Sequence, residues 1–245
     1  MIAFAVLLIG FSVPGNAVKL ASGDEAFFRI DYSSARALYE SALVDDGNDP
    51  EILWRLARLL VCVGEILPLD DAQPLFRTAE QHARRCIELD STSSPGYTWL
   101  AASLGYIALQ AGIRDQVELS GELLEAVDSA IRLDPKNDAA YSIRGSFYRA
   151  LGNLGWVKRS AARLFIGSIP DGGYPESEEA LQHAISLAPI IMRHHYEIGV
   201  LYMDMGRSEE AKRALEKAYT TPVRVAIDVV RKNKITRLIE MLDSQ

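Results

Sequence analysis

The sequence is poor in cysteine and has no excess of basic residues. Cys62 and Cys86 are the two cysteines among its 245 residues, and their spacing fits no metal-binding motif. They could form one disulfide in an exported protein, but we expect two small buried apolar residues, because free cysteine is commonly a core residue. The net charge of -7 argues against a nucleic-acid-binding protein, which normally carries a basic domain or stripe.

The chain also lacks the short motifs of common catalytic sites. It has no Gly-x-Ser-x-Gly elbow, no glycine-rich phosphate loop and no His-Glu-x-x-His zinc motif. We place its paired carboxylates, such as Asp45-Asp46, at helix starts or turns, where they complement the helix dipole or are solvated. His194 and His195 are adjacent, so they point to different sides of a helix and cannot easily chelate one metal ion. We therefore expect no enzyme, no cofactor and no metal site.

Charge is absent from the first seventeen residues. The apolar run Ile2–Val13 is too short to span a bilayer, which takes about 20 apolar residues. Pro14 follows it, and Gly15 and Ala17 have the spacing of a signal peptidase site. We expect a signal peptide over residues 1–17, cleaved after Ala17, although a signal normally has a lysine or arginine near its start. The alternatives are an uncleaved membrane anchor and a short apolar first helix.

Two kinds of amphipathic segment alternate along the rest of the chain. Segments of the first kind have small or apolar residues three or four apart and then an Asp, Pro or Gly break, which ends a helix. Segments of the second kind have a bulky residue, a small residue, an aromatic residue or leucine, and a closing glycine. The first kind comprises residues 34–49, 79–93, 123–137, 178–191 and 209–222, and the second comprises residues 51–64, 97–112, 139–152 and 194–206.

This alternation matches the tetratricopeptide repeat, whose consensus is W-x2-L-G-x2-Y…A-x3-F…P. We predict an all-α, right-handed tetratricopeptide-repeat solenoid over residues 18–245. A turn over Ser22–Ile30 stands where a first helix should be, a long connection joins Gly64 to Ala79, and a helix over Val223–Leu242 caps the stack. The small residues at which we expect the paired helices to approach closely are Ala57, Gly145 and Gly199.

The stretch GWVKRSAARLFIG, residues 155–167, interrupts the repeat pattern after Gly152. We predict an inserted amphipathic helix over about residues 154–166, with an apolar side that includes Trp156 and a basic side. The apolar side is expected to dock on the stack as core. Alternatively, the helix faces a membrane or covers the groove, with its cations meeting anionic headgroups. The cations are Lys158, Arg159 and Arg163.

Several motifs together resemble the regulator of microtubule dynamics family. They are NDPEILWRLAR (48–58), TWLAASLG (98–105), AIRLDPKNDAAYSIRG (130–145), GWVKRSAARLFIGSIP (155–170), YPESEEALQHA (174–184) and RHHYEIG (193–199). The resemblance implies a non-catalytic helical scaffold. In one member of the family this kind of domain is associated with binding and moving phospholipid. The predicted signal peptide distinguishes this chain from the eukaryotic members of the family. We therefore do not expect it to share their roles in microtubule dynamics or organelle tethering, and we expect a bacterial protein that is periplasmic or secreted.

The inner groove of the solenoid is the candidate binding surface, because first helices line it in repeats of this kind. Its expected lining is Trp54, Arg58, Tyr106, Ser142, Ser146, Arg149, Arg193, Tyr196, Val200 and Met203. We expect an envelope scaffold that binds an unknown protein partner there. The alternative is a carrier of phospholipid or another apolar anionic ligand, because arginine holds phosphate with two parallel hydrogen bonds. A third interpretation is that these residues only pack helices or pair with acids.

Overall fold

The computed structural model describes residues 15–154 and 170–244 of the chain. Every regular element in those two ranges is an α-helix. The helices are α1 Gly15–Phe28, α2 Tyr32–Asp45, α3 Pro50–Gly64, α4 Leu69–Leu89, α5 Ser94–Ala108, α6 Ile113–Leu133, α7 Asp138–Asn153, α8 Tyr174–Leu187, α9 Met192–Asp204, α10 Ser208–Thr220 and α11 Ala226–Asp243.

The first ten of these helices form five consecutive antiparallel pairs. Each pair consists of a first helix, with an odd number, and the second helix that follows it, and the two pack extensively against each other. The first helices α3, α5, α7 and α9 also contact one another in sequence. One face of the stack, which we call the inner face, is therefore made of first helices. The predicted all-α helical-repeat fold is confirmed.

Three turns between successive pairs share one construction. In each, an aspartate directly after the second helix accepts the N–H two residues further on, at 2.9 to 3.0 Å. Three residues after that aspartate, a second polar side chain accepts an N–H in the first turn of the next helix, which satisfies one of its free donors. The aspartates are Asp46, Asp90 and Asp134, and the caps are Asp49, Ser93 and Asn137. Because both sets recur at equal intervals, equivalent residues of the first helices lie side by side.

Glycine allows the paired helices to approach closely at two predicted positions. A Cβ added to Gly145 would lie 2.5 Å from the Cγ atom of Leu181, a fully buried side chain. A Cβ on Gly199 would lie 2.8 Å from the Cγ atom of Leu215. Ordinary side chains cannot be accommodated at such distances without displacing the neighbour. The close approach at Gly145 and Gly199 is confirmed.

Two expected irregularities are absent. Where a turn over Ser22–Ile30 was predicted, α1 continues to Phe28, and the turn occupies Arg29 and Ile30 with a positive φ of 63° at Ile30. The long connection expected after Gly64 is also wrong, because α4 already begins at Leu69 and contains Pro74. Pro74 is the sixth residue of α4, and because proline has no N–H, the helix continues through it with one backbone hydrogen bond fewer.

Several expectations about the N-terminus and the insertion lie beyond the described residues. These are the apolar run within the predicted signal peptide and the inserted helix with Trp156, Lys158, Arg159 and Arg163. After the insertion, α8 begins at Tyr174. In residues 15–154 and 170–244, no helix combines the length and the apolar character needed to cross a membrane.

Both cysteines are buried in the core as free thiols, which confirms the expected buried positions. Burial is the main cause that raises the pKa of Cys62 to about 12. The thiol is therefore protonated at neutral pH, and protonated thiols are poor nucleophiles.

Candidate binding cleft on the inner face

The C-terminal helix α11 packs on the last repeat and reaches the inner face. Its apolar side packs on α9 and α10, with Ile235 fully buried against Met192 and Leu215. At its other end, the N–H of Ala226 donates to the hydroxyl of Tyr32, at the start of α2, at 3.0 Å. The helix therefore follows α10, as the predicted terminal helix would, and also reaches back to the first repeats.

A buried cluster of charges fastens α11 to three first helices. Its centre is Glu65, directly after α3, whose side chain is 2% exposed. One oxygen of that carboxylate accepts hydrogen bonds from Tyr106 of α5 at 2.5 Å, from Arg193 of α9, and from Arg231 of α11 at 3.3 Å. Arg231 also pairs with Asp228, one turn earlier in α11, at 2.8 Å. Residues far apart in the sequence are thus held at one point of the inner face.

The charges of this cluster explain the direction of two pKa shifts. Burial alone would lower the pKa of Arg193, but the charges of several nearby groups, of which Glu65 contributes most, together outweigh it and raise that pKa above its ordinary value. Burial, together with the same carboxylate, raises the pKa of Tyr106. At neutral pH the arginine is a cation and the tyrosine a neutral phenol, which are the forms that donate hydrogen bonds to Glu65.

An open cleft of about 150 Å³ lies on the part of the inner face formed by α3, α5 and α7. We call it the first-helix cleft. The polar groups on its walls come from arginine, threonine, asparagine and indole side chains. The residues that line it are Trp54, Arg58, Pro95, Thr98, Trp99, Asn137 and Ala139.

Arg58 is held in place by a shared carboxylate. One Nη atom donates to Asp24 of α1 at 2.6 Å and to the hydroxyl of Tyr39 at 3.0 Å. Asp24 also accepts from Arg55 at 2.9 Å, so one carboxylate serves two guanidinium groups. Burial alone would raise the pKa of Asp24, but the hydrogen bonds from Tyr39 and Arg55 and the charge of Arg58 lower it below its ordinary value. Asp24 is therefore a carboxylate at neutral pH.

Aromatic rings surround the same guanidinium group. Its central carbon lies 4.0 Å from the ring centre of Phe27 and 5.1 Å from that of Trp54. It also lies 5.4 Å from the ring centre of Phe28, which is 58% exposed. A cation within about 6 Å of an aromatic face is attracted to it. Arg58 is thus fixed on several sides beneath an exposed aromatic ring.

Two hydrogen-bond donors at this cleft have no partner in the described parts of the chain. They are the indole Nε1 of Trp54 and the Nε of Arg58, and both atoms are buried. Leaving a buried donor unpaired is costly. Ser142 Oγ and Arg149 Nε are likewise buried and unpaired, but neither residue lines the cleft.

The structure distributes the predicted groove residues over three places. Trp54 and Arg58 share the first-helix cleft, while Tyr106 and Arg193 belong to the Glu65 cluster. The remaining residues lie on α7 and α9. Arg149 pairs with Asp204 at 3.0 Å and with Glu197 at 3.4 Å. Ser142 is fully buried, Ser146 donates to its carbonyl, Tyr196 and Met203 pack in the cluster around α11, and Val200 is half-buried.

Sequence reasoning missed five of the cleft's lining residues. The equal spacing of Asp46, Asp90 and Asp134 would have found one of them, because it places Thr98 at the same repeat position as Trp54. Thr98 could therefore have been predicted by taking the position of Trp54 and finding its equivalent in the next repeat. Glu65 and Arg231 had no comparable local signal.

The adjacent histidines have separate partners. His194 Nε2 lies 2.8 Å from a carboxylate oxygen of Asp138, and His195 Nε2 lies 2.9 Å from the carbonyl of Pro189. Among the residues that the structure describes, no three His, Cys, Asp or Glu side chains form a group that could hold a metal ion.

In the residues that the structure describes, five helix pairs and a terminal helix define a tetratricopeptide-repeat fold. The profile of regulator of microtubule dynamics protein 1-3 matches residues 20–243. The chain therefore belongs to the regulator of microtubule dynamics family.

Curated relatives agree with this assignment. The chain is 23% identical to regulator of microtubule dynamics protein 1 of Bos taurus over 225 residues, which covers 86% of this chain and 69% of the bovine protein. It is 20% identical to the protein of the same name of Caenorhabditis elegans over 204 residues, covering 83% of this chain and 90% of the nematode protein. The resemblance inferred from the motifs is confirmed.

Solved structures show the same fold. A thermophilic TPR protein of Thermus thermophilus superposes with a TM-score of 0.66 at 22% identity, covering 91% of this chain and 99% of that one. PilW, a type IV pilus biogenesis factor, superposes with a TM-score of 0.56 at 16% identity, covering 96% and 93%. These similarities concern the fold, and they confirm the predicted tetratricopeptide-repeat solenoid.

Proposed function

We propose that this protein is a non-catalytic scaffold that binds a segment of a partner protein in the first-helix cleft. The observation that carries the proposal is the cleft itself, an open hollow lined by two tryptophans and an arginine. Binding interfaces are enriched in tryptophan, tyrosine and arginine at their energetic centres. The cleft contains tryptophan and arginine, on helices that the repeat stack holds in place.

The pairing of the groove arginines supports a protein partner over a phospholipid. The carrier alternative needs guanidinium groups that are free to hold a phosphate. Arg149 is paired with Asp204 and Glu197, and Arg193 with Glu65. The inner face that an acyl chain would occupy is instead packed against α11 around Tyr196 and Met203.

The cell envelope is the proposed place of action. The uncharged run Ile2–Val13 and the small residues Gly15 and Ala17 support export. N-terminal sequencing of the protein purified from its own cells is expected to begin at Val18. A chain that retains Met1 would contradict cleavage, and its recovery with the cytoplasmic fraction would contradict export.

Filling the cleft tests the binding proposal. Ala139 lines the cleft in the first turn of α7, so the Ala139→Tyr substitution places a ring in the hollow. The wild-type chain and the variant are each used to capture proteins from an envelope extract. We expect the variant to retain at most about one tenth of the partner protein that wild type retains, because the ring blocks the centre of the interface. Quantitative mass spectrometry of the eluted proteins measures this ratio.

Ala150→Tyr is the matched control. It makes the same change on the same helix, at an exposed position outside the cleft. We expect this variant to retain the same proteins as wild type, and circular dichroism verifies that both variants are folded. Equal retention by Ala139→Tyr and Ala150→Tyr would overturn the assignment of the cleft.

A further inference from the structure

Two neighbouring turns of the stack carry exposed apolar side chains. One turn joins α3 to α4 and the other joins α5 to α6, and between them the side-chain amide of Gln110 donates to Asp70 at 2.5 Å. The turns at residues 46–49 and 90–93 are instead polar, with the sequences Asp-Gly-Asn-Asp and Asp-Ser-Thr-Ser. A cluster of exposed apolar residues marks an interaction site. We call this cluster the turn patch, and its members, between 37% and 68% exposed, are Ile66, Leu67, Leu69, Leu109 and Ile113.

Acidic residues lie beside the turn patch. Asp70 and Asp71 are in the first turn of α4, and Asp115 is in the first turn of α6. All three are exposed, and none forms an ion pair with another residue that the structure describes. Arg114, next to Asp115, pairs with Glu118 at 3.3 Å, so its charge is already balanced. A partner that covers the turn patch therefore needs apolar side chains and positive charge.

The exposed side of α11 has that combination. Val230, Lys234, Arg237 and Met241 follow one another at intervals of four, three and four residues, so they form one stripe along the helix, which we call the basic stripe. All four residues are exposed. Within the described parts of the chain, Lys234 and Arg237 have no acidic partner. Residues 230–239 contain four cations and no acid, so the positive charge of the stripe is not balanced by its neighbours in the sequence.

The turn patch and the basic stripe are complementary, but they do not cover each other within one chain, because both remain exposed in it. The stripe extends over about 16 Å at 1.5 Å per residue, which is enough to cross two turns whose helices pack 8–10 Å apart. Since each chain has a net charge of -7, two copies repel each other unless local charges of opposite sign meet. The stripe and the patch provide such charges, with apolar side chains on both sides of the contact.

A membrane is a less suitable partner for these two surfaces. Anionic headgroups would repel the carboxylates beside the turn patch. The basic stripe has valine and methionine at its apolar positions, whereas helices that bind in the membrane interface are rich in tryptophan, phenylalanine and leucine. The charge and the side-chain types therefore favour a protein surface, and the surface that matches is present on the chain itself.

We propose that the basic stripe of one copy of this chain docks on the turn patch of a second copy. Lys234 and Arg237 meet the carboxylates of Asp71 and Asp115, and the apolar side chains of the stripe cover the exposed leucines and isoleucines of the turns. The contact goes beyond the proposed function, because neither surface includes a residue that lines the first-helix cleft.

Sedimentation velocity over about a hundredfold range of protein concentration measures this self-association. We expect the mass of the wild-type protein to rise above that of the monomer as the concentration increases. The double variant Lys234→Glu/Arg237→Glu is expected to raise the dissociation constant at least about tenfold, because two attractive charge contacts become repulsive. The matched control is Arg132→Glu/Lys136→Glu, which reverses two exposed cations where α6 ends, and we expect it to associate like wild type.

Reversing charges on the turn patch allows a rescue experiment. Asp71→Lys/Asp115→Lys is expected to weaken self-association at least about tenfold by the same repulsion. When this variant is mixed with Lys234→Glu/Arg237→Glu, opposite charges meet again between unlike copies, so we expect the mixture to associate although neither variant does so alone. Circular dichroism verifies that each variant is folded.

Three results would overturn the proposal. They are a wild-type protein that stays monomeric at the highest concentration, equal association of Lys234→Glu/Arg237→Glu and its control, and a mixture of the two folded variants that does not associate. If the wild-type protein is monomeric but sediments with phosphatidylglycerol vesicles through Lys234 and Arg237, the basic stripe binds a membrane instead. The Ala139→Tyr variant is expected to self-associate like wild type, so this test is independent of the test of the first-helix cleft.

Discussion

Replacing Glu65 with glutamine is expected to lower the free energy of unfolding by about 3 kcal/mol. The substitution leaves Arg193 and Arg231 on the inner face without their shared counter-ion, and breaking a buried ion pair costs about 3–5 kcal/mol. We expect the lower end of that range because Arg193 is only partly buried, so water reaches part of its charge.

Urea denaturation followed by circular dichroism measures this loss. The control is Glu51→Gln, which removes an exposed carboxylate paired with Arg55 within α3 and should cost less than about 0.5 kcal/mol. We also expect faster hydrogen exchange in α11, because Arg231 connects that helix to Glu65. A loss in Glu65→Gln no larger than in the control would contradict the assignment of Glu65 as the centre of the inner-face cluster.

Replacing Phe76 with alanine is expected to cost about 3–5 kcal/mol. The ring is 1% exposed and stacks on Tyr106, with centres 4.5 Å apart and an angle of 11° between the planes. It also fills the space above Gly64, where an added Cβ would lie 2.4 Å from the ring. Alanine would leave a cavity between α3, α4 and α5, and would remove the support of the tyrosine that donates to Glu65.

The same urea experiment measures this effect. Phe28→Ala provides the matched control, because Phe28 is exposed and its removal leaves no cavity, so we expect a loss below about 1 kcal/mol. A loss of similar size in both variants would contradict the packing described around Phe76.

Local sequence patterns were sufficient for the repeats. Helical spacing and glycine breaks placed the helix pairs, and small residues identified the close approaches at Gly145 and Gly199. The long connection predicted between Gly64 and Ala79 was wrong, because α4 begins at Leu69 and continues through Pro74.

The contacts on the inner face could not be predicted in the same way. Arg193 and Glu65 are 128 residues apart in the chain, and neither is marked by a motif. Their contact depends on how far the stack curves over several repeats, a property that no local spacing encodes. Likewise, a terminal helix was predictable, but the part of the inner face that it covers depends on distant contacts with Tyr32 and Glu65.

Distant contacts also decide which of the predicted binding residues border the cleft and which are held in ion pairs elsewhere. Position on a first helix was the reason for predicting Trp54, Arg58, Arg149 and Arg193. Only the structure shows that Arg149 and Arg193 are in ion pairs away from the cleft, while Trp54 and Arg58 border the hollow.

Site-specific photo-crosslinking tests the central claim most directly, which is that the partner occupies the first-helix cleft. Phe28, exposed beside Arg58, is replaced with p-benzoylphenylalanine, and Tyr219, exposed on α10, is replaced in a second variant as the control. In the cells of origin, the account predicts a discrete protein adduct at position 28 that disappears when Ala139→Tyr is added, and no such adduct at position 219. An adduct at position 219 alone, or one at position 28 that persists with Ala139→Tyr, would contradict it.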